Sequence, residues 1–461
     1  DNPNVTEIDI EQLPTREKAE KPTIYIAGDS TAQTYNYTKV YPQTGWGQVF
    51  ADYFNDDIII ENRAMGGRSS KSYDNDGRLD RILTEMHPGD YVFIQFGIND
   101  GAENKPERYI SVEDYKKLIT DKYIGEVEKR GGTPVLMTAN AAAWWDEENN
   151  CFMESRKDYA DPTREIAEET GCKFIDENKI VTDAWNSMSK NRVLSGYFVC
   201  EPLESKAYPS GTNDTTHMKA KGAKRVAKLI ADAIPENVPE LAKYLKGDET
   251  FTDIQGHWAE NVIKTLAENG KVSGVGDGKF NPDGTVTRAE FLKMAMDSFG
   301  IGGHAYRDGE CLDATNDDWY CYYLQGALDK NIIPKEMIEN CNVTKVTKTL
   351  AEATDDKEAV TTDVNVYTGK FDGDKPITRE EMAAIAVRCK NYKMRRLTDW
   401  DNERRYPIFS FKDSDEIDEK YISDVVKAYN LNYIDGMEDG RFAPKENLTR
   451  AQAAVVMNNL K

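Results

Sequence analysis

The feature that most limits how this chain can fold is internal repetition in its second half. Residues 251–301 and 409–460 align almost without gaps. Each reads Phe-x-Asp, a helical stretch, a Gly-rich loop, Phe-x-Pro, then Thr-Arg-Ala and a second helical stretch. A longer copy lies between them, from about Tyr306 to Tyr392. It carries Asp318-Trp319-Tyr320 and ITREEMAAIAVRC, with an insertion over roughly Lys335 to Phe371. A helix–loop–helix unit this small buries its apolar face only against other copies, so three copies form an array. The expected boundaries are 251–304, 305–408 and 409–461. The second helices carry their own start signals. Thr287 with Glu290 and Thr378 with Glu381 are capping boxes, and Thr449 caps the third, with Gln452 where a carboxylate would sit.

The first half has a different rhythm. Residues 1–20 are polar and aperiodic and read as a tail. From Lys21 to Ile234, short β-branched runs alternate with segments of helical period. The runs are Thr23–Ala27, Ile58–Glu61, Tyr91–Phe96, Pro134–Thr138 and Lys173–Asp176. The helical segments include Gly47–Phe54, Arg78–Met86, Val112–Lys129 and Pro162–Glu169. This alternation predicts an α/β domain over 21–234: a three-layer αβα sandwich around a parallel five-stranded sheet, with ligands at the carboxyl ends of the strands. Residues 235–250, with two prolines, read as a linker.

Charge narrows the partners. With 81 acidic against 59 basic residues the formal charge is −22, which argues against nucleic acid and anionic lipid as partners. There is no run of 18 apolar residues, so no membrane insertion is expected. The start at Asp1 reads as a mature or trimmed chain. The seven cysteines show no CxxC spacing and read as free thiols, with Cys311 and Cys321 near enough in sequence to pair. No cofactor or metal is expected, because acidic loops such as Asp277–Asp283 lack the EF-hand spacing.

Four short motifs follow the strands in order. Gly28-Asp29-Ser30-Thr31 ends the first and is expected to open a turn into a helix. Gly66-Gly67-Arg68-Ser69 follows the second, and Phe96-Gly97-Ile98-Asn99-Asp100 the third. Asp214-Thr215-Thr216-His217 precedes a helix whose Ala223, Val226, Ile230 and Ile234 share a face. Taken singly, these read as a helix N-cap, a strand–helix turn, an Asx-turn and a capping Asp beside a surface His. Taken together they place a serine, a base and oxyanion donors at one sheet edge. A carboxylate three residues before a histidine can fix its tautomer. There is no GxSxG elbow of the α/β-hydrolase type.

The set Ser30, Gly67, Asn99 and His217, with Asp214 before the histidine, resembles the SGNH (GDSL-like) hydrolases over residues 22–234. The wording GDST, NRAMGGRSS, FGIND and DTTHMKAKGA is similar to the rhamnogalacturonan acetylesterase branch. The resemblance implies Ser30 as nucleophile and His217 as general base and acid, oriented by Asp214. It also implies an oxyanion hole of the Ser30 and Gly67 amides with the Asn99 side chain, each donor contributing roughly 3 kcal/mol. Two departures stand out: Ile98 where such proteins often carry His, and Asn140–Asp146 without the expected Arg. Trp144 and Trp145 read equally as sugar-stacking platforms or as packing, and Tyr35 and Tyr37 pose the same alternative beside Ser30.

The three copies resemble S-layer homology domains. The residues that carry this are Phe251-x-Asp253, His257-Trp258-Ala259, Thr287-Arg288-Ala289-Glu290, Trp319, Thr378-Arg379-Glu380, Phe411-x-Asp413 and Thr449-Arg450-Ala451. The family implies a pseudo-threefold bundle whose grooves bind an anionic secondary cell-wall polysaccharide. Arg288, Arg379 and Arg450 are then anion-gripping candidates, with Trp258 and Trp319 stacking on sugar or packing. Each Arg taken alone reads as an exposed residue at a helix terminus. The joint expectation is a secreted carbohydrate O-acetylesterase held on the wall or S-layer of a Gram-positive-type bacterium and acting on acetylated plant polysaccharide. The alternatives are an esterase acting on the cell's own wall polymer, or a structural wall-binding protein with an inactive esterase domain.

Overall fold

The computed structural model describes residues 16–247, 251–268, 272, 274–305, 311–315, 317–351, 359–394 and 411–460. The first fifteen residues, the expected start of the middle copy at Tyr306 and its end near 408 lie outside the described residues. Two compact units emerge. One holds the described residues up to Val199 with Asn213–Gly247, and the other holds Cys200–Thr212 with the described residues after Asp248.

The first unit is built on five parallel strands: β1 (Thr23–Gly28), β2 (Ile59–Asn62), β3 (Tyr91–Gln95), β4 (Thr133–Met137) and β5 (Lys173–Ile175). Their spatial order is β2-β1-β3-β4-β5. Side chains alternate across the sheet with period two. Ile24, Ile26, Phe93, Val135 and Met137 enter one core, while Tyr25, Ala27, Val92, Ile94 and Leu136 enter the other. Both faces are therefore buried, which is why these strands read as continuous apolar runs. Helices α1 (Arg78–Glu85), α2 (Val112–Leu118) and α3 (Lys157–Thr170) supply the second core. Helices α4 (Glu177–Asn186) and α5 (Ala220–Asn237) supply the first. The three-layer sandwich expected from the alternation is the observed fold.

The differences are local. Helix α3 begins five residues before Pro162, from the left-handed Arg156, so that proline sits inside the helix. No helix starts at Ser30. Instead Ala32 and Gln33 amides turn back onto the Asp29 carbonyl, and the Thr31 carbonyl is taken by the Trp46 amide. The helical ladder therefore stops, and the first helical turn after it is Tyr37–Val40. The end of the expected tail is tied down: Arg16 donates to the Glu85 carbonyl and the His87 ring meets the Glu17 carbonyl. The expected linker is also packed as far as Lys246, because the Asn55 amide bonds the Tyr244 carbonyl and the Lys246 amide bonds the Tyr53 carbonyl. None of the seven cysteines is in a disulfide, Cys311 and Cys321 included.

In the second unit, helices α6 (Glu260–Glu268), α7 (Arg288–Ser298), α8 (Cys321–Asp329), α9 (Arg379–Met394), α10 (Glu419–Asn430) and α11 (Arg450–Asn459) repeat one arrangement. Asp253 accepts from the Phe280 and Asn281 amides, Asp313 from Phe371 and Asp372, and Asp413 from Phe442 and Ala443. The arginines close a ring. Arg288 donates to the Phe371 carbonyl, Arg379 to that of Phe442 and Arg450 to that of Phe280. Each guanidinium also lies over the same phenylalanine ring, at 5.9, 5.2 and 4.8 Å. At Thr449 the side-chain carbonyl of Gln452 completes the capping box that a carboxylate completes elsewhere. The insertion is a long hairpin, β6 (Glu339–Ala351) and β7 (Val360–Lys370).

The ring generates a stability prediction. Asp413→Ala strands two buried amides, and each unsatisfied group costs about 1–3 kcal/mol. The thermal midpoint of the second unit is expected to fall, while Asp413→Asn, which keeps one acceptor, falls by less. Calorimetry that found both variants as stable as the parent would contradict this reading of the ring.

Candidate active site

The candidate residues gather at the carboxyl ends of the strands. The Ser30 hydroxyl, just beyond β1, lies 2.8 Å from His217 Nε2. The other ring nitrogen, Nδ1, lies 2.6 Å from Asp214 Oδ2. Asp214 Oδ1 accepts from the Thr216 and His217 amides at 2.8 and 3.0 Å, so a tight local turn aims the carboxylate at the ring. His217 sits near the end of the strand Thr212–Lys219, directly before α5. That strand is positioned by pairing with Gln43–Thr44, whose neighbour Trp46 bonds Thr31. The structure thus brings together Ser30, His217 and Asp214.

The electrostatics suit a charged carboxylate beside the imidazole. Burial alone would raise the Asp214 carboxyl, but hydrogen bonds from the His217 side chain and the two amides outweigh it and bring it to about 2. A depressed value stabilises the fold above the usual carboxylate pKa of about 4 and is lost as pH falls through about 2. Asp214 therefore stays ionised throughout mildly acidic conditions.

The two glycines of the second loop are distinguishable. The Gly66 amide is spent on Gln33 Oε1, whereas among the described residues the amides of Gly67 and Ser30 meet no acceptor. Gly67 has φ +73°, in the left-handed region that favours glycine. A Cβ at Gly66 would stand 3.5 Å from the Ser30 Cβ, so this loop lies against Ser30. Asn99 spends one amide hydrogen on the Arg68 carbonyl at 3.0 Å, which anchors it to the same loop.

Several positioning groups were not legible in the motifs. Asp100, fully buried, accepts from the Ser70 amide, the Ser70 hydroxyl and the Gly97 amide, and so ties the Gly67 loop to the Asn99 loop. Burial pushes its carboxyl up to about 6 against the pull of those hydrogen bonds. Asp100 sits inside the FGIND motif, but one sequence offers no signal that separates a tie from an Asx-turn. Asp29 and Glu177 are buried carboxyls beneath Ser30, both raised by burial. Thr31 bonds Asp29 Oδ1 and Gln95 bridges from Thr31 to Glu177.

The aromatic candidates separate. The Tyr35 hydroxyl donates to the Ser30 carbonyl at 2.7 Å, so this side chain holds the Ser30 loop. Tyr37 bonds Thr44 through its hydroxyl and packs edge-on against Tyr41. Trp145 packs on Phe152 across a hairpin of two short strands and bonds Glu147. Trp144 is 37% exposed, with the Arg156 guanidinium 4.8 Å from its ring.

The wall-binding candidates divide as well. Trp258 and Trp319 are exposed, at 65% and 53%, while Tyr421, the third copy's counterpart, is buried. The arginines do not present the outward grip expected of them. Arg288 is buried against Glu381, Arg379 is buried on the Phe442 and Asp435 carbonyls, and Arg450 reaches the Phe280 carbonyl. The reason is physical: each guanidinium satisfies carbonyls of the neighbouring copy that would otherwise be orphaned at the joint.

The geometry predicts the behaviour of Asp214→Asn. Turnover of p-nitrophenyl acetate is expected to fall by about 10⁴-fold in kcat with little change in KM, because the wrong imidazole tautomer faces Ser30. A loss confined to KM would point to substrate contact instead.

Residues 26–225 match the GDSL-like lipase/acylhydrolase family, and residues 250–292 and 410–454 match the S-layer homology domain. A probable rhamnogalacturonan acetylesterase of Bacillus subtilis is 36% identical over 213 residues, 46% of this chain and 92% of that relative. A second rhamnogalacturonan acetylesterase of the same organism is 32% identical over 216 residues, 46% of this chain and 89% of that relative. The crystal structure of Bacillus subtilis YxiM overlays with a TM-score of 0.39 at 29% identity, covering 48% of this chain and 56% of that one. The chain belongs to the GDSL-like lipase/acylhydrolase family.

Proposed function

We propose that the chain is a cell-surface carbohydrate O-acetylesterase that removes acetyl groups from plant polysaccharide of the pectin rhamnogalacturonan or xylan type. The reading rests on the 2.8 Å contact between the Ser30 hydroxyl and His217 Nε2. The names of the two relatives favour an acetylated polysaccharide as substrate. His217 takes the Ser30 proton as the oxygen attacks the acetyl carbonyl. The amides of Ser30 and Gly67 and the Asn99 side chain hold the tetrahedral oxyanion. His217 then gives the proton to the departing sugar oxygen, which leaves as a hydroxyl. Water, deprotonated by the same ring, releases acetate and restores Ser30.

We further propose that the second unit anchors the enzyme to the cell wall or S-layer of a Gram-positive-type bacterium, which requires secretion. The two S-layer homology matches support this. The middle segment is read as a third copy, because Asp313, Phe371 and Arg379 make the same contacts as their counterparts. Trp258 and Trp319 are the exposed surfaces for an anionic wall polysaccharide.

Acetate release from acetylated rhamnogalacturonan, xylan and wall glycan tests the substrate. Activity on wall glycan alone would replace the plant-polymer reading with one of self-directed wall editing. Ser30→Ala is expected to abolish acetate release and keep binding to isolated walls. Trp258→Ala is expected to weaken that binding several-fold and keep turnover. Joint loss of both properties in either variant would refute the division of labour.

A further inference from the structure

Arg156 is an unusual residue in this site. It holds φ +58°, a left-handed conformation that a non-glycine side chain rarely adopts. Such strain persists where surrounding structure enforces it. Here the preceding residue is buried, with the Ser155 hydroxyl accepting from the Ala142 amide and its carbonyl accepting from Asn178. The guanidinium is laid over the Trp144 ring. Its Nε is shielded and has no hydrogen-bond partner, and among the described residues the side chain has no ion-pair partner. Other half-buried arginines in this unit, such as Arg63 and Arg164, are paired with carboxylates.

The position is close to the reacting groups on two sides. The Ala143 amide, next to Trp144, donates to the Thr215 carbonyl at 2.8 Å, two residues from His217. On the other side, Arg156 begins α3, whose Tyr159 lies 3.0 Å from where a Cβ on Gly97 would stand and bonds the Asp100 carbonyl. The pair therefore sits between the His217 strand and the Asn99 loop. A second arginine lies nearby: Arg108 Nη2 would be 3.2 Å from a Cβ on Gly67, and the guanidinium pairs with its own neighbour Glu107. A chain of net charge −22 repels polyanions at long range, and the charge that faces Arg156 here is the buried Asp29, which burial holds toward its protonated form.

We propose that Arg156, held over Trp144, binds the carboxylate of an acidic sugar adjoining the acetyl ester, so that the site selects uronate-containing over neutral acetylated glycans. The inference rests on the reading of Ser30 as the nucleophile of a polysaccharide acetylesterase. A planar fork of N–H donors matches a carboxylate bidentately, and the indole face supports both the guanidinium and a sugar ring. Arg156 is a specificity residue in this account and takes no part in proton transfer.

The test compares kcat/KM on one acetylated uronate oligosaccharide with that on its carboxyl-reduced counterpart, using the full-length chain. The parent protein is expected to prefer the acidic form by about tenfold or more, chiefly through KM. Arg156→Gln is expected to bring the ratio near one, and Arg156→Lys to leave it in between. Because each ratio is taken within a single preparation, it does not depend on how much of a variant folds. A parent ratio near one, or a ratio unchanged in both variants, overturns the proposal while leaving the esterase reading intact. A parent that releases acetate from neither oligosaccharide overturns both.

Discussion

The chemistry proposed for the first unit depends on a single hydrogen bond between residues 187 positions apart, Ser30 and His217. Closing so long a loop has an entropic cost, and the bond is worth little unless both partners are held before it forms. The sheet holds Ser30 at the end of its second-from-edge strand β1. The segment Gln43–Trp46 holds the other side, pairing with Met218 and Lys219 and bonding Thr31. One short stretch therefore touches the Ser30 loop and the histidine strand together. The Gly67 and Asn99 loops are coupled to this arrangement through Asp100, which links them.

Preorganisation of this kind relies on buried carboxyls. Asp29 and Glu177 each leave one oxygen without a partner, and both are held toward the protonated form by burial. A buried polar group short of a partner is costly, so their presence beneath Ser30 marks a place where positioning took precedence over stability. Asp214 shows the opposite balance. Its hydrogen bonds overcome burial, and its charge is available to a protonated imidazole. Asp214 thus differs from the other two acids because it is less buried and its donors outweigh that burial.

Much of the fold was legible because both halves repeat a simple pattern. Five β-branched runs became five strands, and the capping threonines 287, 378 and 449 all start helices. The site was legible as motifs at strand ends. What could not be read was direction. Arg288, Arg379 and Arg450 recur at equivalent places, and recurrence alone suits a ligand-binding row as well as an internal ring. Trp144 and Trp145 are neighbours of identical type, yet one packs in a hairpin and the other carries Arg156.

The sequence by itself determined the elements, the repeat and the residue types at the strand ends, because these follow from local periodicity, capping and turn chemistry. Tertiary structure alone decided which groups meet. It turned three arginines onto backbone carbonyls of neighbouring copies, spent the Gly66 amide on Gln33, and left Arg156 over an exposed indole. These outcomes depend on contacts between segments distant in the chain, where burial forces every polar group to find a partner and no local pattern records which one it takes.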